Sequence, residues 1–262
     1  MKTAVLVSGM YREFDIAVKS WKFLNDLDCD VYFSTWKKSV QSSTVLDIHI
    51  DEVLNLPLVD VTAVKAAQFK VVVDGVNSSG GIIIPKLLKQ MGVEVVELYC
   101  EPNGHFPHNP EPLKEHLTEL SKKVVEENVD FGIVVDPDVD RLAFMDEKGI
   151  MFGEEYTLVA CADYVLGKLG GGNTVSNLSS SRALRDITQK HGGTYTASAV
   201  GEVNVVIKMK ETNTVIGGEG NGGIIYPASH YGRDSLVGIA LFLSHMAYKK
   251  ISCKALRNSY RS

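Results

Sequence analysis

Short runs of β-branched and apolar residues alternate along the chain with segments whose apolar residues recur every three or four positions. The runs predict strands, and the spaced segments predict helices that bury one face. We expect strands at residues 4–7, 30–33, 69–74, 93–98, 131–135, 142–145, 174–177, 194–197 and 214–216. We expect helices at residues 82–91, 112–128, 156–169, 181–191, 202–210 and 234–250. This alternation predicts an α/β protein with mainly parallel sheets flanked by helices.

Two breaks in the pattern divide the chain. The first is a polar, serine-rich stretch that is typical of a linker, and the second separates two α/β units of about 100 residues each. No apolar pattern marks the last residues, so we expect them to fray. The expected order is a βαβ-like segment at 1–36, a linker at 37–50, α/β units at 51–151 and 153–252, and a tail at 253–262.

Composition excludes several classes of protein. Hydrophobic residues make up 45% and charged residues 23% of the 262 residues, which argues against wholesale disorder. A net charge of -5 argues against a nucleic-acid binder, which needs a basic face. The longest uncharged apolar stretch, residues 235–248, is shorter than the ~20 residues of a membrane span. The 4 cysteines form no CxxC pair, so we expect no disulfide framework and a cytoplasmic location.

The strongest candidate for chemistry is FGIVVDPDVDR, residues 131–141. Asp136, Asp138 and Asp140 follow a buried strand, and alternate side chains of an extended segment point the same way. Three converging carboxylates repel each other unless a cation neutralises them, and hard oxygen ligands favour Mg²⁺ or Ca²⁺. Arg141 follows at once, and its guanidinium suits a phosphate that bridges it to the metal.

Two other interpretations of these aspartates remain open. The spacing also fits an EF-hand loop, because Glu147 is the twelfth residue counted from Asp136. The sixth position of that loop requires glycine for a sharp turn, however, and here it is Arg141. The other alternative is a solvated acidic turn that holds no ion. We favour a metal site at the end of a strand over both.

A second candidate is the glycine-rich segment IGGEGNGGIIYP, residues 216–227. Glycines let the backbone approach a ligand closely, and Glu219 and Asn221 can hydrogen-bond to vicinal sugar hydroxyls. A tight strand-to-helix turn explains the same composition without a ligand. A third glycine-rich segment, DGVNSSGG at residues 74–81, lacks the lysine of a P-loop, so a close-packed turn is the favoured interpretation there.

Together and in order, these motifs resemble the α-D-phosphohexomutase family, the phosphomannomutases and phosphoglucomutases. DPDVDR resembles the DGDGDR metal loop of the family, and GGEGNGG resembles its GEESGH-type sugar-binding loop. The similarity extends over residues 51–248. Its other anchors are VVVDGVNSSGG, the NPEP loop, GEEY, SNLSSSR, VGEVNVV and HYGRD.

The resemblance implies a cofactor, a substrate and roles for particular residues. It implies Mg²⁺ held by the three aspartates and a serine phosphate, with Arg141 in a supporting role. It implies hexose phosphates as substrates, namely mannose or glucose 1- or 6-phosphate. The residues that it implies for substrate binding are Gly218, Glu219, Asn221, Gly201, Glu202 and Arg182.

The sequence also departs from the family. It contains no serine loop of TASHNP type before residue 51 and no fourth-domain phosphate loop, so we expect a truncated mutase without its own nucleophile. Another chain would then supply the missing domains. The alternatives are a non-catalytic module that binds Mg²⁺ and sugar phosphate, or a recombination product without a selected function.

Three finer departures concern the loops and the first residues. Gly223 stands where the sugar motif often ends in histidine, and Ala199 replaces a basic residue of some members, so no general acid or base is identified. Residues 1–36 are unlike the family and weakly resemble the opening of nucleotide-sugar-dependent glycosyltransferases. There the turn Ser8-Gly9-Met10 could meet a diphosphate, although a purely structural βαβ fragment is the favoured interpretation.

Overall fold

The computed structural model describes residues 5–7, 31–33 and 40–260, with side chains from residue 46 onward. In the first segment, strand β1 (Val5–Val7) pairs in parallel with β2 (Val31–Phe33). A parallel pair requires a crossover connection, as the predicted βαβ-like start implies. The connection itself and the turn at Ser8-Gly9-Met10 lie outside the described residues.

The first α/β unit contains one mixed sheet. Its strands are β3 (Lys70–Asp74), β4 (Glu94–Leu98), β5 (Phe131–Val135) and β6 (Leu142–Asp146). Its helices are α1 (Val40–Leu54), α2 (Val61–Ala67), α3 (Gly80–Gln90) and α4 (Thr118–Glu126), with a 3₁₀ turn at Lys114–His116. The strand order is β4-β3-β5-β6. Strand β3 pairs in parallel with β4 and β5, and β6 returns antiparallel to β5.

The second unit repeats this plan. Its strands are β7 (Asn173–Asn177), β8 (Tyr195–Ser198), β9 (Thr214–Glu219) and β10 (Gly223–Ile225), in the order β10-β9-β7-β8. Its helices are α5 (Glu154–Leu169), α6 (Ala183–Lys190), α7 (Glu202–Glu211), α8 (Ser235–Lys249) and α9 (Cys253–Asn258). Only β10 is antiparallel to its neighbour within this sheet. The prediction of two mainly parallel sheets flanked by helices is confirmed.

The expected linker at residues 37–50 is wrong for its larger part, because α1 begins at Val40. Among the serines of this stretch, apolar residues recur at helical spacing. Ile50 and Val53 are fully buried, and Leu46 packs against the same core. Positions 46, 50 and 53 share one face of a helix, so burial of that face fixes the segment.

The expected frayed tail is also wrong. Helix α9 begins after Ser252, whose hydroxyl accepts a hydrogen bond from the backbone N–H of Ala255. Cys253, Leu256 and Tyr260 are all buried. Their spacing of three and four residues is the apolar stripe of a short helix, which is easily missed over so few residues.

One hydrophobic core extends through both units. Phe242 in α8 stacks on Phe144 in β6, with ring centroids 3.7 Å apart, and meets Phe131 in β5 edge-on at 5.7 Å. A hydrogen bond of 2.9 Å from the Tyr164 hydroxyl in α5 to the carbonyl of Leu58 also joins the units. The helix α8 packs against α1, α2 and β6 of the first unit as well as α5 of its own. Among the described helices, none is both long enough and apolar enough to cross a membrane.

Candidate metal and sugar site

The metal loop, residues 136–141, is the turn that joins strands β5 and β6. It brings together Asp136, Asp138 and Asp140, whose carboxylate oxygens all lie within 4.8 Å of one another. Asp136 and Asp140 are buried, whereas Asp138 is more exposed. The loop therefore presents a compact set of oxygen donors at the carboxyl end of the sheet, where ligands of open α/β sheets bind.

Backbone hydrogen bonds fix the shape of the metal loop. One oxygen of Asp136, Oδ1, accepts the N–H groups of Asp140 and Arg141, both at 3.0 Å. The carbonyl of Pro137 accepts the hydroxyls of Ser78 and Ser79, which stand before α3. The segment at residues 74–81 is thus a close-packed βα turn that supports the metal loop.

The metal loop concentrates negative charge in a poorly solvated place. Burial, together with the charges of Asp140 and Asp138, raises the pKa of Asp136 to about 8. Burial also raises the pKa of Asp140 to about 6, although the charge of Arg233 opposes this shift. The Oδ1 atom of Asp140 is buried and accepts no hydrogen bond within the described part of the chain. A hard divalent cation would satisfy this oxygen and neutralise the set, so the residues fit Mg²⁺.

Arg141 lies at the mouth of the metal loop. Its Nη1 donates to Oε1 of Glu111 at 2.7 Å, and its Nε is 3.7 Å from Oδ2 of Asp136. Glu111 belongs to the NPEP loop, residues 109–112, which therefore reaches the candidate site. The side chain of Arg141 is about one third exposed, so it can also meet a ligand from solvent.

The sugar loop, residues 217–223, joins β9 to β10, so it is a strand-to-strand turn and the strand-to-helix turn is wrong. Glu219 is buried, and its Oε1 accepts the side-chain amide of Asn177 at 2.8 Å. Asn221 accepts the N–H of Gly223 through its own Oδ1 at 3.2 Å. A Cβ at Gly218 would lie 1.9 Å from the carbonyl oxygen of Gly223, so only glycine allows this strand pairing.

Arg233 joins the metal loop to the sugar loop. Its Nη2 donates to Oδ2 of Asp140 at 2.5 Å, and its Nη1 donates to Oε2 of Glu219 at 3.0 Å. Its Nε donates to Oε2 of Glu202, at the start of α7, at 3.2 Å. One guanidinium thus contacts three carboxylates from two units, and Asp140 and Glu219 face the same cation.

The other residues implied for substrate binding lie at two helix starts. Gly201 precedes α7 with a φ of 108°, in the region that favours glycine, and it delivers Glu202 to Arg233. Arg182 is exposed at the start of α6, and its side chain forms no hydrogen bond or ion pair with the residues that the structure describes. The structure therefore gathers Glu202 with Glu219 but does not join Arg182 to either loop.

Sequence reasoning missed Arg233 and Glu111 as site residues, although it quoted the HYGRD and NPEP motifs that contain them. For Arg233, its position just before a helix could have indicated a role in the site. It directly precedes Asp234, whose Oδ1 caps α8 by accepting the N–H groups of Leu236 and Val237. The start of a helix disfavours a cation, so an arginine there indicates acidic partners.

Comparison with known proteins supports the same family. A sequence profile described as phosphoglucomutase/phosphomannomutase, alpha/beta/alpha domain II, matches residues 47–149, and the profile of domain III matches residues 152–261. The phosphoglucomutase/phosphomannomutase of Thermococcus kodakarensis is 34% identical over 235 residues, which cover 88% of this chain and 50% of that protein. The chain thus spans about half the length of this relative.

Solved structures show the same fold. The phosphoglucomutase/phosphomannomutase family protein of Burkholderia thailandensis has a TM-score of 0.74 at 23% identity, covering 97% of this chain and 53% of that chain. The N-acetylphosphoglucosamine mutase of Aspergillus fumigatus, in complex with GlcNAc-6P and magnesium, has a TM-score of 0.63 at 11% identity, covering 100% and 66%. Two successive profile matches and this architecture agree, and the chain belongs to the phosphoglucomutase/phosphomannomutase family, of which it carries domains II and III.

Proposed function

We propose that this chain supplies the metal-binding and sugar-binding parts of a phosphohexomutase, an enzyme that moves a phosphoryl group between positions of a hexose phosphate. Asp136, Asp138 and Asp140 hold one Mg²⁺, and Arg141 supports the phosphate beside it. The unit at 51–151 carries this metal loop, and the unit at 153–252 carries the sugar loop. The residues proposed for the sugar are Gly218, Glu219, Asn221, Gly201, Glu202 and Arg182.

The convergence of the three aspartates carries this proposal. Their oxygens lie within 4.8 Å of one another, and the buried Oδ1 of Asp140 has no hydrogen-bond partner among the described residues. A solvated acidic turn would point these groups to water. When bound, Mg²⁺ supplies charge stabilisation for the phosphoryl group in transfer. The family match supports this proposal, since one mutase of the same fold was solved in complex with GlcNAc-6P and magnesium.

The protein residues divide the remaining work. Arg141 has a partly exposed side chain, and its guanidinium N–H groups match the geometry of phosphate oxygens well. Glu219 accepts hydrogen bonds from ring hydroxyls through lone pairs that Asn177 and Arg233 leave free, and these two donors fix its direction. The phosphoseryl donor is proposed to come from residues outside these 262, since no TASHNP-type loop occurs in them.

Metal titration tests the binding half of the proposal. We expect wild type to bind one Mn²⁺ in place of Mg²⁺, measured by calorimetry and by paramagnetic broadening. Asp138→Asn should abolish this binding, whereas Asp186→Asn, which removes the same charge from an exposed pair with Arg185, should leave it unchanged. Equal metal affinity in wild type and Asp138→Asn would show that the site is wrongly placed.

A coupled dehydrogenase assay of glucose 6-phosphate tests the catalytic half. The 262-residue chain alone should not convert glucose 1-phosphate at a rate near that of a complete mutase, because a covalent phosphoryl carrier is required. Addition of the serine-bearing first domain of a relative should restore turnover. Binding without such rescue would favour the non-catalytic module. Turnover by the lone chain, with a phosphoserine mapped by mass spectrometry within residues 1–262, would refute the assignment of the donor.

A further inference from the structure

Arg233 lies in a position that is unfavourable for a positive charge. Its side chain is 15% exposed and stands beside the N-terminus of α8, whose dipole disfavours positive charge. A buried charge is costly unless it is paired and hydrogen-bonded. The pairing here comes from Asp140, Glu219 and Glu202, which belong to three separate segments of the chain.

Each nitrogen of the guanidinium serves a different carboxylate. Nη2 meets Asp140, Nη1 meets Glu219, and Nε meets Glu202. The guanidinium is planar and rigid, so the directions of its donors are fixed relative to one another. Bonds to three segments through one rigid plane therefore fix the positions of the metal loop and the sugar loop relative to each other.

The contact between Arg233 and Asp140 makes the two oxygens of that carboxylate different. Oδ2 faces Arg233, whereas Oδ1 is buried and accepts no hydrogen bond from the described residues. In Asp136, by contrast, two backbone N–H groups hold Oδ1. The guanidinium therefore determines which oxygen of Asp140 is left to meet a cation.

Two backbone hydrogen bonds cross between the units beside Arg233. The N–H of Ser235 donates to the carbonyl of Val139 in the metal loop at 3.1 Å. The N–H of Leu142, just after the metal loop, donates to the carbonyl of Gly222 in the sugar loop at 3.1 Å. These two amides report directly on whether the loops stay together.

We propose that Arg233 is a positioning residue of the composite site, which selects the oxygen of Asp140 that faces the metal and holds the sugar loop against the metal loop. The inference rests on the proposed function, because it assumes that Asp140 binds the metal. It assigns Arg233 no contact with the reacting atoms.

Variants that separate charge from geometry test the metal part. Arg233→Lys keeps the charge but loses the planar fork, and Arg233→Gln loses both. We expect each to weaken Mn²⁺ binding about 10-fold, measured from the electron paramagnetic resonance signal of free Mn²⁺. Arg185→Lys and Arg185→Gln are matched controls, because among the described residues the side chain of Arg185 pairs with exposed Asp186 alone, and both should match wild type.

A spectator cation would give a different pattern. Arg233→Lys would then bind Mn²⁺ as wild type does, and Arg233→Gln would bind it more tightly, because loss of a nearby positive charge favours a divalent cation. Either result overturns the proposal. If Arg233→Gln fails to fold, as judged by circular dichroism, the lysine variant alone decides.

Hydrogen exchange without metal tests the loop contact separately. In Arg233→Lys, the amides of Leu142 and Ser235 should exchange at least 10-fold faster, whereas that of Val73 in the central strand β3 should not change. Unchanged exchange at both reporter amides overturns the positioning role. Failure of wild type to bind Mn²⁺ refutes the proposed function instead, so the two failures are distinguishable.

Discussion

Val139 stands at the tip of the metal loop with a φ of 63°, in the left-handed region. A β-branched residue is rarely found there, because its Cβ crowds the following carbonyl oxygen at a cost of roughly 1–2 kcal/mol. The side chain is partly buried and packs against the main core, which offsets part of this cost. In the DGDGDR loop that this segment resembles, the same position is glycine.

A comparison of Val139→Ala with Val139→Gly isolates the backbone cost, because both variants lose the packing of the valine methyl groups. Glycine removes the left-handed penalty of roughly 1–2 kcal/mol. It adds about 0.5–1 kcal/mol of conformational entropy to the unfolded chain. We therefore expect the glycine variant to be more stable than the alanine variant by about 0.75 kcal/mol, the difference between the midpoints of these two ranges.

Lys122 provides the control, since it is exposed within the helix α4. There the change from Lys122→Ala to Lys122→Gly should destabilise the protein by about 1 kcal/mol, the ordinary helix cost of glycine. Urea unfolding of all four variants in EDTA measures the two differences. If glycine is the less stable residue by a similar amount at both positions, Val139 is not left-handed and the reasoning is wrong.

Three further predictions concern the charges of the site. The pKa of Asp136 is raised to about 8 and that of Asp140 to about 6, so between pH 4 and those values each carboxyl group holds more protons in the folded metal-free chain than in the unfolded chain. Burial lowers the pKa of His245 to about 4, which opposes only part of this difference. Stability in EDTA should therefore fall as pH rises from about 4 to 8, and Mg²⁺ should flatten this fall; a stability that rises over this range in thermal melts in EDTA would contradict it. Asn177→Ala should lower the free energy of unfolding by about 1–3 kcal/mol, because buried Glu219 loses a donor, and an unchanged urea midpoint would count against that hydrogen bond. Glu111→Gln should change stability by less than about 1 kcal/mol, because its pair with Arg141 is exposed, and a larger loss would reveal burial that the structure does not have.

The sequence predicted the layers of the fold because its strands are long and apolar enough to be distinctive. Strand β5 reads FGIVV and is buried throughout, so its pattern admitted few alternatives. Strand β10 was missed because its 3 residues follow a glycine-rich turn, and only pairing with β9 defines it. Helix α2 was missed as well, since its 7 residues bury only Val64. Short elements take their structure from tertiary contacts that local sequence does not contain.

The candidate site was predicted where chemistry is local and missed where it is not. The three aspartates occur within five residues of one another, so their convergence could be predicted from local sequence. The extended segment expected there is wrong, however, because the loop is a turn with left-handed Val139 at its tip. The bond between Arg233 and Asp140 joins positions 93 residues apart, and no local pattern encodes it. The lack of any bond from Arg182 to either loop was likewise not visible in the sequence.

The shared aromatic core has a consequence for how this protein can be divided. The sequence profiles part at residues 149–152, yet Phe242 on one side of that border stacks on Phe144 on the other. Cleavage of the chain at this border would expose several aromatic side chains on each fragment to solvent. Each of them buries on the order of 150–250 Å² in the intact protein. Patches of that total size lead to association rather than to a monomer. The two domains together are therefore the smallest unit that should be used in a gene fusion or expressed as a fragment.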